Sequence, residues 1–243
     1  MLCYTNVTAA DPDSGTFSQA SAVMAANAAS WFPFVWLASG RPAENSSGAK
    51  GTKVDEAVRT STSIYCRGVK ERITLSTNSG VSWEWRRIVF QIKGAPFQDS
   101  VDPTTSSFFR ITSNGMVRLV TLIPNQDIYI DLFDGARDQD WQDIFNAKVN
   151  TRLVTPMYDR RRTIASGNSN GIIRHYNCWH GVNKNIVYED EQDGDSMFTS
   201  GLSTRGKPGS GDLYVFDMFR ANGGGSEDLL EFLPNATFYW HEK

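Results

Sequence analysis

The chain has 243 residues, of which 40% are hydrophobic, 12% aromatic and 21% charged. That length can bury a substantial core as one β domain, and the composition excludes wholesale disorder. With 24 basic and 27 acidic side chains the formal charge is −3, so no global positive field attracts nucleic acid. Cys3, Cys66 and Cys178 are far apart and odd in number; no disulfide framework is implied and a reducing compartment is the default. No apolar run approaches the ~20 residues that cross a bilayer, so no membrane partner is expected. Ala20–Trp36 lacks the basic flank of a signal peptide.

The predicted elements are mostly strands. Leu2–Thr8 alternates and is rich in β-formers, while Gly15–Ser30 reads as a loop or short helix. Trp31–Ala38 is a compact apolar strand, and Pro33 places its start on a sheet edge. Beyond the loop Gly40–Gly51, two long strands, Thr62–Thr77 and Trp83–Lys93, meet at the turn Asn78-Ser79-Gly80. Ala95–Ser107 is a long connection. Phe108–Thr112 and Met116–Ile123 flank the hairpin turn Ser113-Asn114-Gly115. Helix is expected over Asp127–Phe133 and Asp140–Ala147, where Trp141, Ile144 and Phe145 fall at i, i+3 and i+4. Leu153–Ala165 and Ile172–Trp179 read as strands, with Asn185–Tyr188 extending the second across a bend. Glu189–Gly211 reads as a long surface loop. Leu213–Arg220 and Leu229–Trp240 are the last strands, separated by Gly223-Gly224-Gly225. No repeat or second domain boundary appears. Roughly eight main strands with long connections suit an all-β fold, a single eight-stranded jelly roll spanning 1–243 with one or two short helices.

Catalytic and metal motifs are thin. His175, Cys178 and His180 are the obvious metal candidates. On a strand, however, only Cys178 and His180 share a face, too few for a structural zinc. The acidic run Glu189–Asp195 has carboxylates at alternate positions, but Ser200 stands where a calcium loop needs its closing Glu. No G-x-S-x-G elbow, P-loop or dinucleotide fingerprint occurs, so no enzyme, cofactor or metal is expected. Three glycosylation sequons, at Asn6, Asn45 and Asn235, matter only in a secreted chain.

The basic clusters are more informative. Arg86 and Arg87 follow Trp83-Glu84-Trp85, and Asp159 precedes Arg160, Arg161 and Arg162. Strand parity puts Arg160 and Arg162 on one face and Arg161 on the other. It also sets Arg67 opposite Lys70 and Arg72. Arginine suits phosphate, and Trp85 or Tyr158 could stack a base. A salt-bridged or solvated face, with Glu71, Glu84 and Asp159 as partners, stands equally open.

Residues 61–94 resemble the central region of genomovirus (gemycircularvirus-like) capsid proteins. The matching words are Ile64-Tyr-Cys-Arg-Gly-Val-Lys-Glu-Arg-Ile73, Leu75-Ser-Thr-Asn-Ser-Gly80, and Trp83-Glu-Trp-Arg-Arg-Ile-Val-Phe90 with Lys93-Gly94. Looser likeness covers Met1–Thr8 and Phe32–Arg41. The resemblance implies a jelly-roll subunit that self-assembles into the smallest closed icosahedral (T=1) shell around circular single-stranded DNA. It also implies a place in the virion, and in the host nucleus during assembly. Family members carry an Arg-rich N-terminal arm, so the main packaging charge is expected on such an arm ahead of Met1, supplying counter-charge for phosphates. Inner-face arginines would then make sequence-independent contacts. Trp31, Phe32, Phe34 and Trp36 are candidate subunit contacts, with core positions the competing reading. Two other classes remain: a β-sandwich carbohydrate-binding module using exposed Trp and Tyr, and a cupin-type enzyme, which would need more converging histidines.

Overall fold

A computed structural model describes residues 1–55, 57–94, 108–123 and 132–242. Its elements, all strands, are β1 (Cys3–Thr5), β2 (Ala22–Ala25), β3 (Phe32–Leu37), β4 (Ser63–Thr77), β5 (Trp83–Ile92), β6 (Ile111–Thr112) and β7 (Gly115–Met116). They continue with β8 (Arg118–Val120), β9 (Thr155–Ile164), β10 (Ile172–Val187), β11 (Glu191–Asp193), β12 (Ser196–Phe198), β13 (Asp212–Ala221) and β14 (Leu229–His241).

Eight of these strands form two four-stranded antiparallel sheets, ordered β10-β4-β14-β2 and β3-β13-β5-β9. The sheets pack in a sandwich-like arrangement. Ile73, Leu75, Leu230 and Phe232 of the first meet Phe32, Phe34, Trp83, Trp85 and Phe219 of the second. Further along, Ile64, Cys66, Val69 and Phe238 meet Trp36, Val89 and Val215. The expected edge position of the Pro33 strand is observed, since β3 ends its sheet. The short β1 pairs in parallel with β8 and contacts β14.

The two sheets differ in what covers their outer faces, and the sequence pattern follows. Strands β3, β5 and β13 are buried almost continuously. Their far face is covered by Phe108, Ile123, Phe133, Ile144, Phe145 and Val149, which pack on Val35, Ile88, Phe90 and Phe216. Burial on both faces explains their near-continuous apolar runs. In contrast, β4 and β14 alternate between buried and exposed positions, and most of β10 is exposed or half-buried. One face of the first sheet therefore meets solvent.

Three expectations are corrected. Residues 140–147 form turns rather than a helix, because their carboxylates satisfy local backbone donors. Asp140 accepts the Ala136 N–H at 2.8 Å and Asp143 accepts the Phe145 N–H at 3.0 Å. The periodic Ile144 and Phe145 plug into the sheet from such turns. Most of the other helical stretch, 127–131, lies outside the described residues, as does the whole of the connection 95–107. The Glu189–Gly211 segment is not simply a loop: it contains the β11–β12 hairpin, and Asp190 turns inward to a bidentate pair with buried Arg59 at 2.7 and 2.5 Å. Residues 15–30 include strand β2.

Asp212 is fully buried at the start of β13. It accepts bonds from Ser39 Oγ at 3.0 Å and Ser203 Oγ at 2.8 Å. Burial raises its pKa to about 6 even though the Ser203 and Ser39 donors pull the other way. A raised folded-state pKa means the folded chain binds the proton first, so this group's contribution falls as pH rises from about 4 to about 6. The expected swing is on the order of 2–3 kcal/mol. Urea unfolding of Asp212→Asn across that window checks this: the variant should lose that part of the pH slope, and an unchanged slope would contradict it.

Candidate nucleic-acid interface

The ten basic and aromatic residues singled out from sequence divide sharply. Trp85, Arg86 and Arg87 are at most 4% exposed. Trp85 stacks on Phe219 at 5.8 Å and donates its Nε1–H to Asp217 at 2.8 Å. Arg87 grips Asp217 through Nε at 2.7 Å and Nη2 at 2.8 Å, and reaches Glu71 through Nη1 at 2.9 Å. Arg118 enters from β8 to bond both carboxylates, at 3.1 Å to Glu71 and 2.9 Å to Asp217. Two cations and two anions thus close a buried square between the sheets.

The electrostatics are mutual. Burial raises the Asp217 carboxyl, but Arg87 and then Arg118 more than offset this and hold it below the usual carboxylate range. Burial likewise lowers Arg87, yet Asp217 and Glu71 outweigh it and keep the guanidinium charged. Arg86 is occupied on the other side of its sheet by Asp159, at 2.7 and 3.0 Å, and by the Ile144 carbonyl. Trp85, Arg86 and Arg87, expected as DNA contacts, are instead buried and bonded within the fold and present almost no surface to solvent.

Arg67, Lys70 and Arg72 have the opposite character. All three are exposed. Among the described residues no carboxylate lies within ion-pair distance of any of them. The parity reading that set Arg67 on the other face is overturned by a bulge. Gly68 pairs with Gly181 and Tyr239, Cys66 pairs with Lys184 and Trp240, and Arg67 is left between them unpaired. The extra residue reverses the alternation, since Ile64 and Cys66 point inward before it and Val69, Glu71 and Ile73 after it. Only glycine fits at the bulge: Gly68 has φ of 146°, and a Cβ there would lie 2.2 Å from the His180 carbonyl oxygen.

The neighbouring strands complete the exposed face. Trp179 on β10 lies beside Lys70, which in turn faces Thr237 on β14. Asn177, Arg72 and Asn235 form the next row, then His175, Thr74 and Leu233. Trp179 is 53% exposed and Tyr239 43%, and their rings meet at 5.7 Å. Sequence reasoning passed over both. Alternation did put Trp179 opposite Cys178 and His180, but nothing in one sequence says which side of β10 faces water.

Arg160, Arg161 and Arg162 are exposed on edge strand β9. Arg162 lies over the Tyr176 ring at 4.9 Å and donates to the Tyr158 hydroxyl at 3.3 Å. Tyr158 is half-buried against the His180 ring, at 5.4 Å, and so is not a free stacking surface. Arg161 bonds the Asn146 side chain. The metal candidates are apart as parity required: His175 points outward to Thr74 Oγ1 at 3.1 Å, and Cys178 packs inward. No group of three potential ligands occurs among the described residues.

The aromatic subunit-contact candidates mostly belong to the core. Phe32, Phe34 and Trp36 are at most 1% exposed, being on a strand buried on both faces. Trp31 is half-buried and lines a cavity of about 190 Å³ with Trp141, Asp143 and Arg220. The large exposed apolar side chains are elsewhere, notably Val54, Leu153, Met197 and Phe198.

No protein-family model matches the chain, and no curated protein matches it significantly.

The division between structural and surface arginines is measurable. Asp217→Ala leaves two buried guanidiniums short of a partner and should cost about 3–5 kcal/mol in urea unfolding. The triple change Arg67→Ala, Lys70→Ala, Arg72→Ala should stay within about 0.5 kcal/mol of the parent. Comparable losses in the two variants would contradict the assignment.

Proposed function

We propose that the chain is the shell subunit of a small single-stranded DNA virus capsid, of the genomovirus kind that residues 61–94 resemble. One observation carries this reading beyond the sequence words. Taken in chain order, the eight sandwich strands pair first with last, second with seventh, third with sixth and fourth with fifth, through β2–β14, β3–β13, β4–β10 and β5–β9. A long antiparallel hairpin rolled on itself would have that pairing, which supports reading the sandwich as a jelly roll. Shell subunits and lectin domains both use it, so the fold alone does not choose between them.

The charge distribution favours the shell. Arg67, Lys70 and Arg72 lie exposed on the solvent face of the β10-β4-β14-β2 sheet with no acidic partner among the described residues, while the chain as a whole carries −3. Phosphate contacts from such a face would be independent of base sequence. A carbohydrate module would use Trp179 and Tyr239 but gives Arg67, Lys70 and Arg72 no task, since most sugars are neutral. Val54, Leu153, Met197 and Phe198, rather than the core residues Phe32, Phe34 and Trp36, are the apolar groups available to neighbouring copies in a shell.

Expression from the complete coding sequence, followed by electron microscopy and nuclease protection, tests the proposal. Closed particles holding protected single-stranded DNA are expected, and their absence would defeat it. In the same assay the Arg67, Lys70, Arg72 triple-alanine variant should lower the log–log salt slope of DNA binding by about two. An unchanged slope would remove this face from the DNA side.

A further inference from the structure

We infer that Trp179 and Tyr239 form a stacking platform for unpaired bases, flanked by Arg67, Lys70 and Arg72 as its phosphate contacts, so that this face takes single-stranded nucleic acid in preference to duplex. The inference rests on the reading of this face as the nucleic-acid side, and it adds base stacking and strand selectivity to it.

The two rings come from strands that are not neighbours. β10 and β14 lie on either side of β4, and Trp179 and Tyr239 register with Lys70 and Gly68 of that middle strand. Gly68 carries no side chain to stand between the rings, which meet at 5.7 Å with planes 63° apart. In that edge-to-face arrangement one ring leaves a face uncovered. These are the exposed Trp and Tyr side chains of this four-stranded sheet among the described residues, and neither joins any of the three buried clusters.

The surroundings select the occupant. Arg67, Lys70 and Arg72 have no acidic partner, and Glu231, bonded to Ser76 at 3.4 Å, is the one carboxylate on this sheet face among the described residues. A face rich in cations with exposed rings complements a polyanion that has free π-surfaces. Single strands offer both, whereas a duplex hides its base faces in its own stack. Stacking is tolerant of sequence, in keeping with packaging a whole genome.

The test uses the intact chain and a short fluorescent oligothymidine, with an abasic oligonucleotide and a duplex as companions. Trp179→Ala and Tyr239→Ala should each weaken oligothymidine binding by roughly ten-fold, within the span that one base–aromatic contact supplies. Trp179→Phe should retain most of the affinity. The salt slope should stay at the parental value in all three variants, because the phosphate contacts are intact. The parent should bind the abasic strand and the duplex more weakly than oligothymidine. Parental affinity in both alanine variants, or equal affinity for the abasic strand, would overturn the inference. Particle formation is scored separately by microscopy. Particles whose DNA binding ignores Trp179 and Tyr239 would defeat the platform alone, and ring-dependent binding without particles would defeat the capsid reading alone.

Discussion

The fold depends on a closed square of charges between its two sheets. Glu71 comes from β4, Arg87 from β5, Asp217 from β13 and Arg118 from β8, and each cation touches both anions. Four ions taken from water carry a large desolvation cost, so the square is not a simple gain in stability. Its effect is geometric. Each carboxylate is satisfied only when β4, β5, β8 and β13 hold one mutual register, and a slip of one residue would send a charge to the wrong face. Arg118 also lies over the Trp36 ring at 4.4 Å, tying the β8 flank to the core. The hydrophobic clusters set that the sheets pack; the charges set how they pack.

That arrangement explains how a chain of net charge −3 can present a basic surface. Several of its arginines are consumed by internal carboxylates: Arg87 and Arg118 in the square, Arg59 by Asp190 and Arg86 by Asp159. Among the described residues Arg67, Lys70 and Arg72 stand without an acidic partner on the uncovered face of the β10-β4-β14-β2 sheet, while Arg160, Arg161 and Arg162 stay exposed on the edge strand β9. On the other sheet the outer face of β3, β5 and β13 is covered by the segments around Phe108, Phe133 and Phe145, which leaves the edge strand β9 exposed. On the proposed reading, one covering decision in the fold therefore determines both which strands become continuous core and which become the nucleic-acid side.

Much of the strand layout was legible in the sequence. The long strands β4, β5, β13 and β14 lie within a residue or two of their expected bounds, since alternation and Gly-containing turns are local signals. The charged residues within β5 were not. Arg86-Arg87 looks like a surface pair, and only the distant Asp217 and Asp159 convert it to structure. The bulge at Arg67 was equally hidden, because alternation counts residues and cannot see an extra one. Exposure of Trp179 and Tyr239 depended on which sheet the segments 108–123 and 132–154 cover, a tertiary choice with no local mark. The turn-forming acids Asp140 and Asp143 mimicked a helix start, since the same carboxylate chemistry caps both.

Ultraviolet crosslinking of single-stranded DNA to the intact protein, with the attached peptides mapped by mass spectrometry, addresses the central claim most directly. Adducts concentrated on β10 and β14 around Trp179 and Tyr239 are the predicted result. Adducts confined to the β11–β12 hairpin or to the cover over β5 and β13 would contradict the account.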